Sequence, residues 1–275
     1  MGSSYDALNR LTRVVKDDVL SAVYTYDAGG YGNAEAMLQV LELIGKREGL
    51  GDILADGSHR AAEAFGGGRE YLVEVKGQEV PMHEPRLKRG LGLGYAISPT
   101  GADHCHNMHD TGMVGTSLAK LRPLGILEGV PIESLGPEKV RLFNIVMQTQ
   151  ILSNCLSVCT FPPWRNTEYL ELVQAVTGWD MSLYELMDVA ERTLTLARVF
   201  NTREGFSKAD DWLPERFFKP QTSGPLSETS VNPVQLREAI ETYYAMMGWT
   251  NDGVPTKGTL YRLGAGWATK HLPDR

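Results

Sequence analysis

Ten residues near the middle of the chain, GADHCHNMHD at 101–110, concentrate the side chains whose chemistry stands out. They comprise two aspartates, one cysteine and three of the six histidines: Asp103, His104, Cys105, His106, His109 and Asp110. On a loop the three histidines can converge on a zinc or iron ion, with one aspartate as an oxygen ligand. The spacing matches no standard zinc motif. A solvated polar loop, and histidines that bond to neighbouring backbone, therefore remain open interpretations.

The chain has three cysteines, too few and too odd in number for a disulfide framework, so each is a buried thiol or a metal ligand. Cys155 and Cys159 would share one helix face if their helix continued to Cys159. Pro162 and Pro163 then force a break and would leave Cys159 at a helix end, where a thiolate can face a partner domain or a cluster. Buried structural thiols are the open alternative.

Composition restricts the class of protein. With 275 residues, 42% hydrophobic residues and a net charge of −7, the chain can bury a sizeable core and is unlike a nucleic-acid binder. No apolar run is long enough for a membrane span, and the first residues lack the apolar core of a signal peptide. We therefore predict a cytoplasmic protein without nucleic-acid or membrane partners.

Helical periodicity dominates from Asn33 onward, so the predicted fold class is mainly α with little β. Start signals for helices are N-caps, first-turn prolines and a capping box, found at Asn33, Pro137, Ser182 with Glu185, and Asn232 with Pro233. SHRAAEAFGGG at 58–68 predicts a helix that ends in glycines. YLVEVKGQEVP at 71–81 predicts a short extended piece at a domain boundary.

Two further segments invite a chemical interpretation but favour a structural one. GLGLG at 90–94 is a weak phosphate-loop signal, and its glycines let backbone approach a ligand closely. RVFNTREGFSKADDWLP at 198–214 is dense in charge, which favours an ion-paired helix end stopped by Gly205.

Residues 1–32 do not fit the helical pattern. Residues 5–32 weakly resemble one unit of a tyrosine-aspartate repeat, but no second unit follows. We interpret them as a tag, 1–4, followed by a junction segment of uncertain structure.

Seven collinear segments between residues 33 and 264 resemble the C-terminal helical half of the tungsten-containing aldehyde:ferredoxin oxidoreductase family. The segments are GNAEAML, KREGLGDILADG, VKGQEVPMHEPR, GLGLGYAISPTGADH, SNCLSVC, RVFNTREGFSKADDWLPERF and YYAMMGWTNDGVPTKGTLYRLG. The resemblance implies a two-part helical assembly, with 33–75 a remnant of the middle helical domain and 76–275 the C-terminal helical domain. It also implies a tungsten or molybdenum bis-pterin and a four-iron, four-sulfur cluster, which oxidise a small aldehyde to a carboxylic acid and pass the electrons to ferredoxin.

The resemblance carries over to particular residues. The family's Gly-Ala-Cys-His segment reads GADH here, which makes His104 the candidate for proton transfer while Asp103 replaces the family's cysteine. His106 and His109 then lie near the cofactor or the substrate channel.

The family's Asp-x-x-Gly-Leu-Cys motif reads from Asn154 to Cys159, so Cys159 keeps the position of the fourth cluster ligand. Asn154, Ser157 and Val158 depart from the pattern at the positions that contact the pterin.

The family's other three cluster cysteines and its pterin-cradling N-terminal domain have no counterpart in this sequence. We therefore expect a fragment, split subunit or fusion that needs its N-terminal half and has neither activity nor a bound cofactor on its own. Two alternatives stay open. One is a catalytically silent helical interaction module, and the other is a mononuclear metal hydrolase that uses His104, His106 and His109.

Overall fold

The computed structural model describes residues 2–5, 11–16, 19–23, 34–66, 72–115 and 118–273. The chain divides into two compact units, Met1–Val73 and Glu74–Arg275. We call them the N-terminal unit and the C-terminal unit and treat each separately. The predicted domain boundaries, 1–32, 33–75 and 76–275, stay predictions.

The N-terminal unit combines a small antiparallel sheet with three helices. The strands pair in the order β1-β2-β3, and the elements are β1 (Gly2–Tyr5), β2 (Leu11–Lys16), β3 (Val19–Val23), α1 (Ala34–Lys46), α2 (Leu50–Leu54) and α3 (Ser58–Phe65). The predicted N-cap, Asn33, lies outside the described residues. The predicted glycine stop of α3 is confirmed, because Gly66 closes the helix in the left-handed conformation.

The C-terminal unit is mainly helical, which confirms the predicted fold class. Its elements are a hairpin of β4 (Glu74–Val75) and β5 (Gln78–Glu79) and the helices α4 (Arg89–Ile97), α5 (Pro137–Cys155), α6 (Asn166–Thr177), α7 (Leu183–Arg203), α8 (Pro233–Met246) and α9 (Lys257–Arg262). Short 3-10 turns occur at 110–112, 119–124, 208–210, 215–218 and 266–271. Among the described residues, no helix combines the length and the apolar character that a membrane crossing needs.

Several helix starts follow the predicted caps. Ser182 and Glu185 form the capping box of α7, and Gly205 follows its last turn with a positive φ of 97°. The side chain of Asn232 accepts hydrogen bonds from two backbone N–H groups of α8, which begins at Pro233.

The core of the C-terminal unit lies where α5 packs against α7 and α8. Phe143 of α5 is fully buried, and its ring centroid lies 5.7 Å from that of Tyr243 of α8. Leu194 of α7 is 2% exposed. Burial of each such side chain contributes about 1.5–3 kcal/mol, so this three-helix contact is a main source of the unit's stability.

The segment GLGLG is part of α4 and not a phosphate loop. Its glycines permit close packing by other parts of the protein. A Cβ atom at Gly90 would lie 2.0 Å from Met108 Cε, and one at Gly94 would lie 1.9 Å from Asn107 Oδ1. The glycines therefore serve the approach of the 101–110 loop to α4.

The charged segment 198–214 forms an ion pair between α7 and the residues that follow it, as predicted, but the pair is buried. Arg198 Nη1 lies 2.7 Å from Asp211 Oδ2, and Arg198 is 2% exposed. Lys76, in the turn of the β4-β5 hairpin, also contacts Asp211 at 2.7 Å, and Tyr244 donates its hydroxyl to the same carboxylate. Arg198 Nε donates to the carbonyl of Gly253 at 2.7 Å. Each buried charge thus has a partner, as burial requires.

Candidate functional site

The 101–110 loop is fixed at its C-terminal end by Asp110. The Asp110 carboxylate accepts the backbone N–H groups of Gly90 and Leu91 at 3.0 and 2.9 Å, so it caps the start of α4. Lys139 of α5 contacts the same carboxylate at 2.6 Å. Because Asp110 is fully buried and has these partners, it is a structural anchor and not the oxygen ligand of a metal ion that the sequence left open.

Asn107 fixes the middle of the loop. Its side-chain amide donates to the carbonyls of Leu91 and Asp103 at 3.2 and 3.3 Å, and its Oδ1 accepts from the backbone N–H of Met108 at 2.7 Å. The absent side chain of Gly94 leaves the space that Asn107 occupies. These contacts therefore fix the backbone conformation of the loop between Asp103 and Asp110.

The loop conformation brings three histidines together, and one of them was not a candidate site residue in the sequence analysis. The ring centroid of His83 lies 4.9 Å from that of His104 and 4.6 Å from that of His109. The centroids of His104 and His109 are 6.1 Å apart. We call His83, His104 and His109 the histidine cluster. His83 lies 21 residues before His104, so local spacing gave no signal for it.

His109 makes polar contacts with the loop backbone and with a neighbouring lysine. Its Nε2 lies 3.3 Å from the backbone oxygen of His104, and its Nδ1 lies 3.4 Å from the ammonium of Lys88. Burial lowers the pKa of His109, and the neighbouring Lys88 lowers it further. Burial, with His109 and Lys88 close by, lowers the pKa of His83 as well. Both shifts of pKa favour the neutral form of the imidazole.

His106 does not join the histidine cluster. It is buried, its Nε2 lies 3.0 Å from Ser98 Oγ, and its Nδ1 lies 3.5 Å from Asp103 Oδ2. Burial lowers the pKa of His106, although the Asp103 carboxylate acts in the opposite direction. The trio of His104, His106 and His109 considered from the sequence is therefore not the set that the structure assembles, because the loop turns His106 towards α4.

Three consecutive residues of the loop present ligand atoms towards one another. One oxygen, nitrogen or sulfur atom from each of Asp103, His104 and Cys105 lies within 4.8 Å of the other two. His104 Nε2 and Cys105 Sγ are 3.7 Å apart. The Cys105 thiol is free and exposed. Among the described residues this is the group of three or more such side chains that can hold a metal ion, and Cys159 does not belong to it.

The second candidate region follows α5. This helix ends at Cys155, four residues earlier than the prolines predicted, so Cys155 and Cys159 do not share a helix face. Val158 N donates to Ser153 O at 3.0 Å, and Ser157 lies between them in the left-handed region at φ 54°. This is a Schellman closure with serine at the position that favours glycine. The thiols of Cys155 and Cys159 are both exposed, so neither is the buried structural thiol considered from the sequence.

The comparisons with known proteins agree with one another. The family model described as aldehyde ferredoxin oxidoreductase, domains 2 and 3, matches residues 14–265. The tungsten-containing aldehyde ferredoxin oxidoreductase of Pyrococcus furiosus is 33% identical over 238 residues, which is 85% of this chain and 37% of that protein. The protein of the same name from Thermococcus kodakarensis is 32% identical over 227 residues, 81% of this chain and 35% of that protein.

One further curated protein and one solved structure are also similar to this chain. An aliphatic sulfonate oxidoreductase, WOR-like subunit, of Pyrococcus furiosus is 27% identical over 255 residues, 88% of this chain and 36% of that protein. A chain of the active-site complex BamBC of benzoyl coenzyme A reductase, solved with 1,5-dienoyl-CoA, has a similar fold. Its TM-score is 0.61 at 23% identity, over 89% of this chain and 41% of that one.

This chain thus spans little more than a third of the length of the curated relatives it matches. The matched region covers nearly all of the C-terminal unit and reaches back to residue 14. The chain belongs to the aldehyde ferredoxin oxidoreductase family, in which it corresponds to domains 2 and 3.

Proposed function

We propose that this chain is the C-terminal part of a tungstopterin iron-sulfur enzyme that oxidises small aldehydes to carboxylic acids and passes the electrons to ferredoxin. It acts together with an N-terminal part that holds the pterin. The length of the relatives supports this partner, since about two thirds of each lies outside the matched region.

The observation that carries the proposal is the backbone of Ser157. The family motif has glycine at this position, and here the backbone keeps the left-handed conformation that glycine favours, although the residue is serine. This backbone conformation would suit the glycine of the family motif, which supports the correspondence of the two loops. It leaves Cys159 as an exposed thiol two residues later.

This chain alone supplies some of the residues that would hold the cofactors. An exposed thiol in a tightly closed loop suits one ligand of an iron-sulfur cluster that is otherwise held by another part of the enzyme. A cubane needs four ligands, so the remaining thiolates come from the N-terminal part. Asn154, Ser157 and Val158 border the same loop and are the residues we assign to the pterin. When bound, the tungstopterin supplies the oxidation of the aldehyde and the cluster the path for the electrons.

His104 is the residue we assign to proton transfer. Aldehyde oxidation consumes water and releases protons, so the site needs a group that accepts one. The His104 imidazole is half-buried, and its neighbours His83 and His109 have pKa values that burial lowers.

Asp103, His106 and His109 position this residue and line the approach to the cofactor. His109 contacts the backbone oxygen of His104, while Asp103 accepts the backbone N–H of Cys105 at 2.5 Å and faces His106. These contacts fix the backbone on both sides of His104. The site thereby keeps its proton acceptor in one orientation.

The test uses this chain assembled with its N-terminal part, expressed anaerobically with tungstate. We expect His104→Gln to lower kcat for aldehyde-dependent dye reduction by about 100-fold, because general acid-base catalysis typically contributes that much. Tungsten and iron contents should stay unchanged. His271→Gln, in the last 3-10 turn of the chain, is the matched control and should keep the parent kcat.

An unchanged kcat in His104→Gln would overturn the assignment of His104. If Cys159→Ser were also without effect on activity and on iron content, the silent interaction module would be favoured. Reduction of purified ferredoxin, measured in place of the dye, tests the electron acceptor.

A further inference from the structure

We propose that Asp103, His104 and Cys105 form a binding site for a single zinc ion, with water in the fourth position. Carboxylate, imidazole and thiolate are the ligand types that zinc takes in proteins. This site is separate from the cluster ligand assigned to Cys159, and it uses residues of the C-terminal unit alone.

The distance between the two strongest ligands fits zinc. With Zn–S near 2.3 Å and Zn–N near 2.0–2.1 Å, a tetrahedral ion holds its sulfur and nitrogen ligands about 3.6 Å apart. Cys105 Sγ and His104 Nε2 are 3.7 Å apart. A carboxylate oxygen of Asp103 lies within 4.8 Å of a ligand atom of each of the other two residues.

The surrounding hydrogen bonds hold the three residues in place before any ion arrives. The backbone oxygen of Asp103 accepts from Asn107 at 3.3 Å, and that of His104 lies 3.3 Å from His109 Nε2. The backbone N–H of Cys105 donates to Asp103 Oδ1 at 2.5 Å. A preorganised loop loses little conformational entropy on binding, which favours the ion.

The ligand set is also accessible. Cys105 is exposed, and the Asp103 side chain keeps 26% of its surface exposed. His109 is not counted as a ligand, because its two ring nitrogens already face Lys88 and the His104 carbonyl. With three protein ligands, the fourth position is open to solvent.

Zinc would occupy the same imidazole that the proposed function assigns to proton transfer, so the two uses of His104 exclude each other. Only this consequence rests on the proposed function. Binding itself is measured on the 275-residue chain alone, without tungsten, so its failure and the failure of the oxidoreductase assignment are separate results.

The experiment starts from a chain with Cys155→Ser and Cys159→Ser, in which Cys105 is the only remaining thiol. Zinc is titrated against a chromophoric chelator, and we expect one zinc per chain. Adding Cys105→Ser or His104→Asn should weaken zinc binding by about tenfold or more. Loss of a residue that only hydrogen-bonds to a metal ligand already costs about that much affinity, and loss of the ligand itself should cost at least as much. His271→Asn is the matched histidine control and should bind zinc like the background.

Asp103→Asn provides a second variant, because asparagine keeps the oxygen that accepts the Cys105 N–H while it removes the charge. It should also weaken zinc binding, and circular dichroism checks that every variant is folded. The Co²⁺ form of the background should show a thiolate-to-cobalt charge-transfer band that disappears in Cys105→Ser. Equal zinc affinity in Cys105→Ser, or the absence of that band in the background, would overturn the proposal.

Discussion

The ammonium nitrogen of Lys139 lies 2.6 Å from Asp110 Oδ1, and both side chains are fully buried. This pair joins three parts of the C-terminal unit, because Lys139 belongs to α5 while Asp110 ends the histidine-rich loop and caps α4. This buried charge pair therefore fixes the C-terminal end of the loop, while the contacts of Asn107 fix its middle.

Removal of one partner should be costly. We expect Lys139→Met to lower the free energy of unfolding by about 3–5 kcal/mol, because the Asp110 carboxylate would stay buried without its cation. Urea unfolding followed by circular dichroism measures the change. Lys208→Met removes a lysine that pairs with Glu241 at the surface and should cost about 1 kcal/mol or less. Equal losses of unfolding free energy in the two variants would show that burial of the Lys139–Asp110 pair does not increase its contribution to stability.

The contact of Gly94 with Asn107 makes a second prediction. Gly94→Ala places a methyl group 1.9 Å from Asn107 Oδ1, which must move. We expect a loss of about 1–3 kcal/mol from overpacking, together with shifted NMR signals of His104 and His109. Gly258→Ala in α9, where the nearest atom would be 3.8 Å away, should be neutral or slightly stabilising. Unshifted histidine signals in Gly94→Ala would contradict the role of this contact.

The left-handed backbone of Ser157 predicts a stabilising substitution. Ser157→Gly should raise the free energy of unfolding by about 1 kcal/mol, since a side chain at positive φ costs about 1–2 kcal/mol and glycine avoids it. The reciprocal control is Gly178→Ala at the end of α6, where φ is 72° and no atom would touch the new methyl group. Gly178→Ala should lower the free energy of unfolding by about the same amount. Thermal unfolding reports both changes, and a destabilised Ser157→Gly would refute the assigned loop conformation.

Arg198 should not be replaceable by lysine. Arg198→Lys keeps the charge beside Asp211 but leaves the carbonyl of Gly253 without its donor, at a cost of about 1–3 kcal/mol. Arg237→Lys is the control at an exposed arginine, whose guanidinium lies over the Trp212 ring at 5.0 Å from the ring centroid. Its effect should be about 0.5 kcal/mol or less in the same unfolding assay. Similar losses of unfolding free energy in both variants would mean that the buried contacts of Arg198 contribute no more to stability than those of an exposed arginine.

Local signals predicted three of the six helices described in the C-terminal unit, namely α5, α7 and α8, and gave no prediction of α4, α6 or α9. Caps such as Ser182 and Asn232 act within one turn, so the sequence reveals them directly. Helix α4 contains three glycines, which have low helix propensity, and it forms because Asp110 caps it and the loop packs into the space the glycines leave. Both causes lie outside the helix, in the loop of residues 101–110 that follows it, so the pattern within the α4 segment does not reveal them.

The candidate site shows the same limit. The sequence identified the histidine-rich loop, and the structure brings His104 and His109 together there. It could not reveal that His83 completes the group or that His106 turns inward to Ser98, because both depend on how the loop packs on α4. The end of α5 was predicted from its prolines, whereas a Schellman closure at Ser157 ends the helix earlier.

The central claim is that this chain supplies one thiolate to an iron-sulfur cluster held mostly by the N-terminal part of the enzyme. Electron paramagnetic resonance of the dithionite-reduced assembly tests it most directly, with Cys159→Ser compared against Cys155→Ser, its exposed neighbour at the end of α5. We expect the four-iron, four-sulfur signal to be lost or changed in Cys159→Ser and to persist in Cys155→Ser. An unchanged signal in Cys159→Ser would contradict the account.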